Sequence, residues 1–212
     1  MLAVILAAGS GTRMRPLTLH KPKALMELNG ETFLSKQIRF VRSFGLEPLV
    51  TVGYLGNLTA LEAKRHGCQR ILDTNNQGNA SFLNFEHIRN INEPVLVCTC
   101  DNFAEFDVYQ LFHDMSSSNA THMLTKLETK DSTLQADRIV SKDGKILSIG
   151  RNIKSKIIAA GFQLLIPNRI TLKKRIDNFD EVWKSAISQN RLELWSGRLS
   201  NWQALDYPED LK

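Results

Sequence analysis

Apolar residues run unbroken from Leu2 to Leu6 and stop at Ala7-Ala8-Gly9-Ser10-Gly11. Such a run predicts a strand buried on both faces that ends in a glycine-rich turn. Beyond a loop carrying Pro16 and Pro22, Phe33, Leu34, Ile38, Val41 and Phe44 recur at helical spacing as far as Gly45, a suitable C-cap. The pattern then predicts a strand over Pro48–Val52, a helix over Leu55–His66, a short strand over Arg70–Leu72 and a helix over Ala80–Ile91. The polar loop Thr74-Asn75-Asn76-Gln77-Gly78-Asn79 precedes that last helix, and Pro94–Cys100 forms a second buried strand that ends at Asp101. Alternation of this kind to about residue 126 indicates βα units joined by right-handed crossovers.

The rhythm changes in the second half. Arg138–Ser141 and Lys145–Ile149 flank Lys142-Asp143-Gly144, whose Asp-Gly pair suits a tight hairpin turn. Ile157–Ile166 is apolar enough for an internal strand broken at Gly161. Phe179–Ile187 predicts a helix, Leu192–Trp195 a strand, and Trp202–Asp206 leads into a helix opened by Pro208. No repeat, linker or low-complexity tract divides the chain. The expected fold is α/β, a single Rossmann-like three-layer α/β/α domain over 1–212 with a mostly parallel mixed sheet and a small β-hairpin lobe.

Composition narrows the function classes. The 212 residues are 42% hydrophobic and 23% charged, which fits one large folded domain and excludes disorder and disulfide scaffolds. No apolar run approaches the roughly 18 residues of a membrane span. Leu2–Ala8 has no basic leader and is too short for a signal-peptide core, so a cytoplasmic location is expected. The Asn-x-Ser/Thr triplets at Asn57, Asn79 and Asn119 are then chance matches. A net charge of +5 suits an anionic ligand, but the basic residues are spread along the chain without the clustered face of a nucleic-acid binder. Neither nucleic acid nor membrane is an expected partner, and a homo-oligomer is left open. Cys98-Thr-Cys100 would point its thiols to opposite faces of a strand, so Cys68, Cys98 and Cys100 read as reduced core thiols.

A buried strand running into a glycine turn is where an open α/β sheet binds ligands. Gly9-Ser-Gly11-Thr-Arg13-Met14 has Met14 where the third glycine of a dinucleotide fingerprint belongs, and the Gly-Lys-Ser/Thr of a P-loop is absent. What stands instead is Leu6-Ala-Ala-Gly-Ser-Gly-Thr-Arg13, then Pro16-Leu-Thr18 and Lys21-Pro-Lys23-Ala-Leu25. This string resembles the signature of the nucleotidyltransferases that make activated sugars and related metabolites, among them sugar-1-phosphate nucleotidyltransferases and phosphocholine cytidylyltransferases. Amides, a guanidinium fork and an ammonium at fixed positions are what a triphosphate needs.

The resemblance implies a nucleotide-binding half over about 1–118 and an acceptor-binding half over about 119–212. Ala7, Ala8, Gly9, Gly11, Thr12, Arg13 and Lys23 would bind the nucleotide, with Arg13, Lys23 and Asp101 catalytic. Asn76 or Gln77 would read the base edge, and Gly78 would admit its backbone. Asp101, at a strand end, would hold the cofactor Mg²⁺ with Asp206 as its partner, although Asp-Tyr-Pro is also ordinary helix-entry chemistry and Asp206 could cap the helix instead. Ala204 stands where some small cytidylyltransferases place a further acid. On the acceptor side, Arg151, Lys154 or Lys156 would replace the family's phosphate-binding lysine, and Gly161 matches a position that must lack a side chain. The implied reaction carries an NMP from an NTP, CTP or UTP favoured, to a sugar-1-phosphate or a small phosphomonoester such as phosphocholine, releasing pyrophosphate. A non-catalytic nucleotide sensor of the same fold is the rival from another class.

Overall fold

The computed structural model describes residues 1–131, 134–171 and 175–211. Its centre is a nine-stranded sheet built from β1 (Leu2–Leu6), β4 (Glu47–Val52), β5 (Arg70–Asp73), β6 (Val95–Thr99), β8 (His122–Glu128), β9 (Arg138–Lys142), β10 (Lys145–Gly150), β11 (Ile157–Leu165) and β12 (Leu192–Leu194). Two small sheets pair β2 (Glu27–Leu28) with β3 (Glu31–Thr32), and β7 (Asn102–Glu105) with β13 (Ser200–Ala204). Strand order in the main sheet is β5-β4-β1-β6-β11-β8-β12-β10-β9, with β10 and β11 running against the others. The hairpin lobe β9–β10 turns at Asp143-Gly144, both at positive φ, and is continuous with this sheet through β12 and β11.

Both faces of β1 are buried, as its unbroken apolar run requires. Ala3 and Ile5 join one core with Leu34, Ile38 and Val41 of α1 (Phe33–Ser43), Ala63 of α2 (Gly56–Arg65) and Leu111 and Met115 of α4 (Val108–Ser116). Leu2 and Val4 join the other with Ile88 of α3 (Glu86–Arg89) and Phe179, Val182 and Trp183 of α5 (Phe179–Ser188). A three-layer arrangement follows. The Thr32 hydroxyl caps α1 by accepting from the Ser35 amide at 3.1 Å, and Gly45 closes it with the paired carbonyl bonds of a Schellman end, Gly45 N to Arg42 O and Leu46 N to Val41 O. The Asp107 carboxylate caps α4, an element the hydrophobic pattern left undefined, by accepting from the Gln110 amide.

Two expected helices are shorter than predicted. Over Ala80–Ile91 there is a 3₁₀ turn at Ser81–Asn84, a break at Phe85, and the single turn of α3. The cause lies elsewhere in the chain: the Asn84 amide donates to Ile176 O and accepts from Ile176 N, which holds it against the segment leading into α5. Near the C-terminus Pro208 opens a 3₁₀ turn to Leu211 rather than an α-helix. Among the described residues no helix is long and apolar enough to cross a membrane.

Candidate active site

β4 and β5 extend the sheet on one side of β1, while the chain crosses to β6 on the other. The reversal opens a crevice at the carboxyl ends of β1 and β6, where open α/β sheets bind ligands. A cleft of about 560 Å³ lies there, walled by Gly9, Gly11, Thr12, Arg13, Lys23 and Asp101 among others. It adjoins a second cavity of about 260 Å³ that reaches toward β11, α5 and β13, and Arg13, Asp101, Arg151 and Asp206 line both.

The glycine turn is locked from below. Gly11 has φ +57°, and its carbonyl accepts the Thr18 hydroxyl at 2.8 Å. A Cβ at Gly11 would sit 2.8 Å from Lys23 Cβ, so the absence of a side chain is what lets the lysine stem pass. Tyr54 ties the proline loop down by donating its hydroxyl to the carbonyls of Thr18 and Leu19.

Four charged side chains from distant parts of the sequence meet above this turn. The Lys23 ammonium donates to Asp101 Oδ2 and, at 2.8 Å, to Asp206 Oδ1, which also accepts from Arg13 Nη2 at 2.8 Å. Arg13 Nη1 is buried and has no partner among the described residues. Burial pushes the Lys23 pKa down, but Asp101 and Asp206 outweigh it and hold the ammonium above its ordinary value. Burial likewise pushes Asp101 up, and the Lys23 ammonium outweighs it to keep the carboxyl below its ordinary range. Lys23 and Asp101 are therefore both charged at neutral pH, and the unpartnered guanidinium N–H of Arg13 is a donor suited to an anion.

The two carboxylates fit a divalent cation of the Mg²⁺ type. They are hard oxygen donors converging on one point, which the Lys23 ammonium marks. Among the described residues no group of three or more His, Cys, Asp or Glu forms a closed metal cage. Two protein carboxylates, with phosphates and waters completing the shell, is the usual protein contribution to Mg²⁺.

On the base side the structure separates the predicted residues. Gln77 and Gly78 line the cleft, joined by Thr74 and Asn79, but exposed Asn76 does not. Asn75 and Asn76 have left-handed backbone, and Asn76 Oδ1 lies against Gly53, 3.2 Å from where a Cβ there would sit. Arg175 donates to Gln77 Oε1 at 2.7 Å, which leaves the amide NH₂ as its free group. Gly78 also packs too closely for a side chain: a Cβ would lie 2.2 Å from the Asp177 carbonyl oxygen. Ala7 also stands off the cleft, its methyl in the core and its amide donating to the Thr51 hydroxyl, whereas Ala8 lines the wall.

On the acceptor side Arg151 lines both cavities, and neither Lys154 nor Lys156 lines either. Gly161 has φ +85°, lies at the bulge of β11, and packs so tightly on Asn102 that a Cβ would meet its Cγ at 2.7 Å. The second cavity also gathers Gln135, Asp137, Gln163, Trp183 and Trp202, which the sequence left unassigned. No local signal marks them, since four separate segments bring them together. Thr99 ends β6 and Thr74 directly follows β5 at the cleft, so position at a strand's carboxyl end alone would have pointed to them.

The comparisons agree with this geometry. A family model of MobA-like NTP transferase domains matches residues 3–128. A choline-phosphate cytidylyltransferase of Streptococcus pneumoniae is 28% identical over 158 residues, 70% of this chain and 68% of the relative. Mannose-1-phosphate guanylyltransferase 1 of Arabidopsis thaliana is 27% identical over 189 residues, 79% of this chain. The chain spans 50% of the length of that plant relative. Among solved structures, the inositol-1-phosphate CTP transferase from T. maritima superposes with a TM-score of 0.79 at 19% identity, covering 99% of this chain and 91% of that one.

Proposed function

The chain belongs to the family of MobA-like NTP transferase domains, and on that premise we propose that it transfers an NMP from an NTP, CTP or UTP favoured, to a sugar-1-phosphate or another small phosphomonoester. The observation that carries this reading is the Lys23–Asp101–Asp206–Arg13 constellation seated on the glycine turn at the strand-order reversal. Nucleotidyl transfer to phosphorylated small molecules is also what the relatives are named for.

The triphosphate lies over Gly9–Thr12, with the unpartnered Arg13 Nη1 donating to a phosphate oxygen. A phosphomonoester has a second pKa of about 6, so it arrives largely as a dianion and needs no general base. One of its oxygens attacks the α-phosphorus, forming a P–O bond as the bond from Pα to the bridging β-phosphate oxygen breaks. Pyrophosphate leaves with that electron pair. Arg151, on both cavities, is placed to hold the incoming phosphate, and Lys23 and Arg13 are placed to offset charge gathering on the leaving group. Asp101 and Asp206 would hold Mg²⁺, which supplies Lewis-acid polarisation of the phosphoryl oxygens when bound.

The test is ³¹P NMR of the intact chain with Mg²⁺, each nucleoside triphosphate and a phosphomonoester. Paired pyrophosphate-diester resonances together with free pyrophosphate support the proposal. Release of inorganic phosphate alone would overturn it.

A further inference from the structure

The buried face of α1 carries an amide among its apolar residues. Gln37 is one turn from both Leu34 and Val41, on the same stripe, and only 1% exposed. Its Nε2 donates to two backbone carbonyls, Thr99 O at 3.1 Å and Asn102 O. Both amide hydrogens are thereby used. Its Oε1, also buried, meets no partner among the described residues. An unbranched apolar side chain of the same length would fill the space without stranding an acceptor, so packing does not account for the amide. What the amide supplies is the pair of donors.

The two carbonyls bracket Asp101. Thr99 ends β6, Asn102 begins β7, and Asp101 stands in the two-residue turn between them. Gln37 therefore holds both ends of that turn from the core side. Across the turn, Asn102 Nδ2 donates to Asp101 Oδ1 at 3.0 Å and to Thr99 Oγ1 at 2.7 Å, which leaves Asp101 Oδ2 to Lys23. Gly161 packs against Asn102 on β11 and closes the space behind it. The same turn carries the second carboxylate. Asp101 O accepts from the Leu205 amide at 3.0 Å, and Ala204 pairs with Asn102 between β13 and β7, so Asp206 follows directly from backbone that the turn anchors. With both hydrogens on carbonyls, Gln37 donates to neither carboxylate, yet it holds the strip of backbone from which both are positioned.

We propose that Gln37 is a positioning residue for the metal site: by clamping Thr99 O and Asn102 O it sets the spacing of Asp101 and Asp206 that a divalent cation requires. This rests on the reading of those two carboxylates as Mg²⁺ ligands and names the group that keeps them in register. Gln37 itself takes no part in bond making.

The test is calorimetric binding of each common nucleoside triphosphate to the intact chain, without acceptor, once in EDTA and once in Mg²⁺. Gln37→Met keeps length and volume and removes both donors. It is expected to weaken triphosphate binding about tenfold in Mg²⁺ and to leave the Kd in EDTA unchanged, and a tenfold rise in Mg²⁺ should recover the loss. Thr32→Ala, which removes the cap of α1 without touching the turn, should lower Tm and change neither Kd. Should Gln37→Met fail to fold, Gln37→Asn, whose amide stops one methylene short of the two carbonyls, is expected to show the same split. An unchanged Kd in Mg²⁺, an equal loss in Mg²⁺ and EDTA, or the same Mg²⁺-specific loss in Thr32→Ala would overturn the positioning role and leave the metal site standing. Native binding that Mg²⁺ does not tighten would overturn the metal reading and the role of Gln37 with it, whereas no triphosphate binding in either condition would sink the transferase proposal beneath both.

Discussion

Gly11 and Lys23 are in contact across the glycine turn, at a spacing that leaves no room for a side chain on the former: a Cβ there would lie 2.8 Å from Lys23 Cβ. The turn thereby aims the lysine stem, and the ammonium at its end joins Asp101 to Asp206. Phosphate-binding backbone and charged cluster are one mechanical unit.

Gly11→Ala should therefore harm both. Its left-handed backbone costs an L-residue about 1–2 kcal/mol, and the new methyl must displace Lys23. A lowered Tm together with a rate loss larger than the loss of folded protein is expected from thermal denaturation and pyrophosphate assays. A full-rate, fully stable variant would show that Lys23 is aimed by something else.

Lys23→Ala removes the cation that both carboxylates share. The expected cost is about 3 kcal/mol of transition-state stabilisation, on the order of a hundredfold in kcat/KM. A loss below tenfold in steady-state kinetics would remove Lys23 from the catalytic set.

Asp101→Asn keeps the shape and removes the charge. Mg²⁺-dependent turnover should vanish while urea unfolding remains cooperative. If stability and turnover fell together, Asp101 would be a strand-end cap rather than a metal ligand.

Acid should destabilise the fold through His122. Its ring is fully buried, and since Trp183 donates to Gln163 Oε1, the histidine Nε2 that meets the same oxygen must carry the proton. Burial, only partly offset by that hydrogen bond, lowers its pKa from 6.5 to about 4. The unfolded chain thus protonates first as pH falls, so the contribution is intact above pH 6.5 and is lost toward pH 4, by roughly 3 kcal/mol in all. Between pH 7 and 5 the native chain should lose about 2 kcal/mol more than His122→Gln in urea unfolding. Parallel pH profiles would contradict a neutral buried imidazole.

The thiols should be inert. Cys68, Cys98 and Cys100 are all buried and unpaired, and burial raises Cys98 to about 12 and Cys100 further still. An aromatic disulfide reagent at pH 8 should label none of them in the native protein and all of them in denaturant. Rapid native labelling would show an opening that the packed sheet does not contain.

How much of this could be read from the residues alone depended on the range of the interactions involved. β1 and its glycine turn were legible because strand, turn and loop are contiguous, and Asp101 because a buried run ends abruptly before it. The helix expected over Ala80–Ile91 was misread because Asn84 is satisfied by the backbone of Ile176, ninety-two positions away. Asp206 entered through family resemblance, since Asp-Tyr-Pro by itself describes a helix cap. Its ion pairs with Arg13 and Lys23 exist only once the sheet has closed. Asp137, Trp183 and Trp202 had no signature at all, because a cavity wall assembled from a hairpin strand's approach, a helix and an edge strand leaves no spacing to detect.

The most direct test of the central claim is pyrophosphate release with Mg²⁺, run over the four common ribonucleoside triphosphates and deoxythymidine triphosphate against sugar-1-phosphates, phosphocholine and other small phosphomonoesters. A signal that requires one nucleotide and one acceptor together, and that falls about a hundredfold in Lys23→Ala, is the predicted result. No release with any pair, and no thermal shift with any nucleotide, would contradict the assignment of the cleft between β1 and β6 as a nucleotidyl-transfer site.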